Sequence, residues 1–113
     1  MLEEILFNFL NNVELDAPTY TMIPKDHPEE FYVLERTGGG ISDHINSTTV
    51  AIRSNAQSLV RAADLMYDLD NVMRYALPSL DYICGVKRNS IANFTDSQTK
   101  TYRYQGVYVI SHY

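Results

Sequence analysis

Three histidines, one cysteine, a Ser-Asp-His tripeptide and a run of three glycines are the parts of this 113-residue chain that could do chemistry. Ser42-Asp43-His44 has the letters of a nucleophile triad, but a triad is assembled by folding, and neighbours in sequence do not form its relay. His27, His44 and His112 fall in different segments without ligand-like spacing. A metal site would need them to converge with carboxylates, so each reads as a surface or partly packed imidazole. Cys84 lies between Ile83 and Gly85 with no base placed to lower its pKa, and reads as a small buried hydrophobe. Gly38-Gly39-Gly40 could cradle a phosphate only ahead of a helix N-terminus. A strand pattern follows instead, without Gly-Lys-Ser/Thr, so the run reads as a flexible hairpin tip. The nine tyrosines could stack bases if cations shared their face. Arg103 alternates with Tyr102 and Tyr104 and so points away from them, which favours core and interface packing. No catalytic, cofactor or metal constellation emerges, and the chain reads as non-enzymatic.

The elements that would position these groups follow from periodicity. Leu2, Ile5, Leu6, Phe9, Leu10 and Val13 form one helical stripe, with Glu3 and Glu4 favourably placed in the first turn. Asn11 and Asn12 weaken this helix and Pro18 forbids its continuation. A short strand is expected at Tyr20–Ile23, a surface loop from Pro24 to Glu30, and strands at Phe31–Thr37 and His44–Ser54, the last rich in β-branched residues. The second helix is the clearest element: Leu59, Ala62, Ala63, Met66, Leu69, Met73, Ala76 and Leu77 trace one face, with one polar slip at Asp70. Asn55 or Ser58 can cap it and Pro78 ends it. Tyr82–Ile91 and Lys100–Ile110 read as two more strands. The order α-β-β-β-α-β-β predicts an α+β fold, a mostly antiparallel twisted sheet with two helices packed on it. Double-stranded-RNA-binding modules share the α-β-β-β-α start. They grip phosphates with a lysine-rich helix start, where this chain has only Arg61.

The length predicts one domain over residues 1–113 that can hold its own core. A hydrophobic share of 45% is ordinary for a globular chain. One cysteine excludes an intrachain disulfide framework and a multi-Cys zinc site, and fits a reducing compartment. No apolar run approaches the roughly 20 residues of a membrane span, and Met1-Leu2-Glu3-Glu4 has the wrong sign for a signal peptide. The net charge of −5 argues against electrostatic capture of nucleic acid. That charge is uneven. Residues 1–43 hold nine acids and two bases; residues 44–113 hold five acids and seven bases. Such a split reads as solvated loops that happen to be acidic or, more sharply, as self-complementarity between copies in an oligomer.

The stretch Ala17-Pro18-Thr19-Tyr20-Thr21-Met22-Ile23-Pro24, then Pro28-Glu29-Glu30-Phe31-Tyr32-Val33-Leu34-Glu35-Arg36-Thr37-Gly38-Gly39, resembles small morphogenesis proteins of tailed phages and prophages. So do Ala51-Ile52-Arg53-Ser54 leading into the helix from Ser58 to Leu77, the turn Asn93-Phe94-Thr95-Asp96, and Tyr102-Arg103-Tyr104-Gln105-Gly106-Val107-Tyr108. The likeness covers roughly residues 2–110 and points to the tail terminator, tail-completion or tail-to-head joining proteins of long-tailed phages. The resemblance implies an α+β subunit of a hexameric ring at the head-proximal end of the tail tube. Such a ring stops tube polymerisation and docks on the head. It implies three partners: further copies of the chain, the major tail tube protein and the head–tail connector or head-completion protein. It implies no cofactor, no small-molecule substrate, no sequence-specific nucleic acid and no membrane. The location implied is the virion tail, after assembly in the bacterial host cytoplasm.

A ring needs two different surfaces that meet. The expected pair is an acidic region, Asp26, Glu29, Glu30 and Glu35, against Lys87, Arg88, Lys100 and Arg103 of the neighbour. The hairpin with Gly38, Gly39 and Gly40 is expected to touch the tube or the next subunit. A head-closure or neck protein and a non-enzymatic protein-binding accessory module are the competing readings.

Overall fold

The computed structural model describes residues 2–13, 15–23, 25–26, 28–42, 45–95 and 101–113. The first apolar stripe forms helix α1, Leu2–Asn12, burying Leu2, Leu6 and Leu10 at successive turns. Asn11, a poor helix former, ties the helix end to the sheet. Its side-chain amide donates to the Thr19 carbonyl at 3.1 Å and its oxygen accepts from the Thr19 N–H at 3.0 Å.

The expected strand at Tyr20–Ile23 is shorter and earlier. Strand β1, Thr19–Tyr20, pairs in parallel with two residues of strand β2, Phe31–Ser42. The chain then leaves the sheet, and Met22 and Ile23 are exposed.

Strand β2 does not stop at the glycines. It bulges once, at Thr37, and continues antiparallel to strand β3, Ile45–Ala56, with Gly38, Gly39 and Gly40 opposite Thr49, Thr48 and Ser47. The three glycines are therefore strand residues and not the hairpin tip. Ser42 pairs with Ile45, so the connection is residues 43–44, outside the described residues. The β-branched run of β3 holds its neighbour extended even where that neighbour has no side chains. Gly39 is a close-approach position: a Cβ there would lie 2.8 Å from the Ser47 carbonyl oxygen.

Helix α2, Leu59–Asn71, starts at Ser58, whose hydroxyl accepts from the Arg61 N–H. Asn55 lies in β3. The helix widens into a π turn at Val72–Ala76 and ends in a 3-10 turn at Leu77–Ser79. Pro78 has no N–H to donate and its ring clashes with the preceding turn, which accounts for the changed pitch. The widening keeps Met73 and Leu77 on the buried stripe. Strands β4, Ile83–Asn93, and β5, Tyr102–His112, complete a sheet of order β1-β2-β3-β5-β4, antiparallel except for β1.

One cluster of buried residues joins α1 and α2 to one face of this sheet. It includes Leu6 and Leu10, Leu65, Met66 and Leu69, and Tyr32, Val50, Ile52, Tyr108 and Ile110. Hydroxyls of β2 and β3 fix α2 on the sheet. Tyr32 donates to the Leu65 carbonyl and Ser54 to the Ala62 carbonyl, each at 2.7 Å. The result is the expected α+β fold, a mostly antiparallel sheet with helices packed on it.

Candidate functional site

The polar slip in the second helix is a buried carboxylate bonded to three other side chains. Asp70 is buried in the α2 stripe. Its Oδ1 accepts from the Tyr108 hydroxyl of β5 at 2.8 Å. Its Oδ2 accepts from Arg88 of β4 at 2.9 Å and lies 3.5 Å from Arg74 Nη1, one helical turn on. Burial, reinforced by the bond to Asp70, holds the Tyr108 phenol well above the usual tyrosine range. A carboxylate with both oxygens occupied and a phenol kept neutral are not poised for proton transfer. The group is an anchor joining α2, β4 and β5. The sequence marked Asp70 as an irregularity; its partner Tyr108, distant in sequence, became visible only when β5 took its place beside β4.

Among the expected interface residues, several charged side chains are held inside their own chain. Glu30 receives a bidentate pair from Arg61, Nε to Oε2 at 2.7 Å and Nη2 to Oε1 at 2.8 Å, which holds its carboxyl below the usual range. Asp16 stands 3.8 Å from the same guanidinium. Glu35 pairs with Arg53 at 3.0 Å, and Arg53 also donates to Gln105 at 2.9 Å. Arg53 and Arg103 both lie over the Phe94 ring. Arg88 is bound to Asp70. Asp26, Glu29 and Lys87 are exposed and have no ion-pair partner among the described residues. Lys100 lies outside the described residues, as do His27, Asp43 and His44. The structure thus brings Glu35 and Arg53 together, and Glu30 and Arg61; among the described residues no ion pair joins two of the expected acids and bases.

A groove of about 450 Å³ opens between the start of α1 and the far half of the β2–β3 pair, lined among others by Glu3, Arg36, Gly39, Tyr82 and His112. Arg36 reaches Glu3 at 3.7 Å across it. His112 is buried. Its Nδ1 is 3.2 Å from the Tyr113 carbonyl oxygen and must donate to it, so Nε2 accepts from the Thr48 hydroxyl at 2.8 Å. Tyr82 packs on the ring with centroids 5.3 Å apart. Both nitrogens are occupied, which makes this a packed imidazole. Among the described residues, no three His, Cys, Asp or Glu side chains gather in a metal-binding group.

Cys84 is exposed, contrary to the buried position expected. Ile83 pairs with His112 and Gly85 with Ser111, so Cys84 is the extra residue of a bulge, and the alternation that would have turned it inward is broken there. Its hydrogen bond with the Tyr113 side chain raises that phenol's pKa.

No protein-family model matches the chain, and no curated protein matches it. The segment from Glu35 to Ile41 is exposed throughout, and Val60, Tyr67 and Tyr75 stand out from the helix after Ser58.

Proposed function

We propose that this chain is a structural subunit of tailed-phage assembly. Copies of it form a ring at the head-proximal end of the tail tube, end tube polymerisation and present the surface that docks on the head. The reading starts from the sequence resemblance. The observation that carries it further is the outer stretch of strand β2, Glu35 to Ile41, which is exposed throughout and carries Gly38, Gly39 and Gly40. Such an element has little to bury within its own subunit and suits contact with a neighbour or a tube end. The buried polar side chains Asp70, Tyr108 and His112 are occupied in holding elements together. That supports a mechanical role.

The test is electron microscopy of particles made without this gene. The expected phenotype is overlong tails that fail to join heads. Tails of normal length joined to heads would overturn the proposal.

A further inference from the structure

Strand β4 lies at one margin of the sheet, with no strand beyond it among the described residues. The opposite margin is only partly closed. β1 covers Tyr32 and Val33 of β2, and from Glu35 to Ile41 every residue of that strand is exposed. On β4, Lys87–Ser90 are exposed as well. Open edges carry unpaired backbone donors and acceptors and accept a further strand unless side chains or bulges obstruct it. Gly38–Gly40 put no side chain in the way on the β2 side, and the joint must take in the bulges at Thr37 on β2 and at Cys84 and Asn89 on β4.

We propose that the β2 edge of one copy pairs with the β4 edge of the next, so that the sheet continues from subunit to subunit. This rests on the ring proposed above and states how its subunits join.

Strand direction permits the repeat. β2, β3, β5 and β4 alternate, so β4 runs opposite to β2. A second copy in the same orientation therefore presents its β2 antiparallel to the first copy's β4, and the same step can be repeated. Charge selects this joint over a twofold pairing of two β4 edges. The latter, centred on Lys87, would set that exposed cation against its own copy, and like charges across a strand pair oppose it. Glu35 is opposite Ala51, which is opposite Val107; Lys87 is opposite Val109. Val107 and Val109 are two residues apart, so Glu35 and Lys87 project from the same face of the sheet. Placed across the joint, they form an acid–base pair. Glu35 is half exposed beside Arg53 and can accept a second cation. With Lys87 opposite Glu35, Thr37 of one copy lies near Cys84 of the other.

The experiment uses that proximity. A Thr37→Cys variant that keeps Cys84 is treated with a short bismaleimide at concentrations where the native mass reports assembly. The expected result is a covalent ladder through trimer and beyond. Thr37→Cys/Cys84→Ser mixed with the wild-type chain should give dimers only. In the unmodified chain, amides of Glu35–Ile41 and of Gly85–Arg88 should exchange at least about tenfold more slowly when assembled. A ring without the ladder and without that protection overturns this joint and leaves the ring standing. Cys84–Cys84 dimers of the wild-type chain overturn it in favour of a twofold contact centred on the start of β4. A chain that stays monomeric throughout overturns both the joint and the ring. A ladder with normal tails in the gene deletion leaves the joint and removes the phage role.

Discussion

Replacing Asp70 by Asn isolates the anchor between α2 and the last two strands. The volume stays the same and one charge is lost. Tyr108 can still donate to the remaining oxygen, but the new amide donor faces Arg88, 2.9 Å away in the wild-type chain. Removing one partner of a fully buried ion pair costs about 3–5 kcal/mol. Here the side chains of Arg74 and Arg88 are 40% and 39% exposed, so both guanidiniums can turn to water. That brings the expected loss down to about 2 kcal/mol. In a domain of this length the melting temperature should fall by about 8 °C. Urea unfolding followed by circular dichroism measures the change, with an unaltered m-value showing that only stability moved. Tyr108→Phe leaves a buried carboxylate oxygen unpaired and should cost about 1.5 kcal/mol. Because the two residues share one bond, the double variant should lose less than the sum. A loss below about 0.5 kcal/mol for Asp70→Asn, or strict additivity, would refute the claim that this buried charge ties the elements together.

Gly39→Ala should destabilise by about 1–3 kcal/mol, because its Cβ meets the Ser47 carbonyl oxygen at 2.8 Å. Gly40→Ala, with nothing within 4 Å, should be near neutral in the same denaturation series. Burial raises the phenol pKa of both Tyr32 and Tyr108 in the folded chain. Their contribution is therefore complete below the unfolded tyrosine value of about 10 and is lost as pH rises toward the folded values. An ultraviolet titration should show these two ionising only together with unfolding. Cys84 should react stoichiometrically with a maleimide in the native state, and mass spectrometry of the unheated protein would expose a buried thiol by the absence of adduct.

The second helix, the long β3 and the terminal strand were legible because each shows a period over ten or more residues and each lies on the core. Asp70 stood out against such a period. Its bond to Tyr108 did not, since a contact 38 residues apart depends on strand order, and order β3-β5-β4 is not written in local pattern. The misplacement of Gly38–Gly40 has a physical cause. Glycine lowers strand propensity by itself, yet strand pairing is decided by two chains, and Ser47–Thr49 supplied the missing preference. Cys84 faces outward, against its place in the alternation, for a related reason. Alternation predicts a face only while the register is unbroken, and a bulge of one residue reverses it. β1 was read too long because Met22 and Ile23 are apolar, but two ladder pairs at a margin hold no more than two residues in place.

The uneven charge along the sequence takes a different meaning once the chain is folded. Acids of the first 43 residues and bases of the remainder do meet, but within one copy: Glu30 and Asp16 at Arg61, Glu35 at Arg53. The split therefore orders β2 and the approach to it against β3 and α2 before it can order one copy against another. This narrows where charge between copies can act. Glu30→Lys would break a bidentate pair inside the subunit, and Arg103→Glu would remove a cation from the Phe94 ring. Loss of assembly in either variant would report on folding as much as on contact. Lys87 has no ion-pair partner among the described residues, and its side chain stands on an open edge. Lys87→Glu perturbs no ion pair described within the subunit. If charge sets the register between copies, that single reversal should weaken assembly while leaving the unfolding midpoint of the monomer in place.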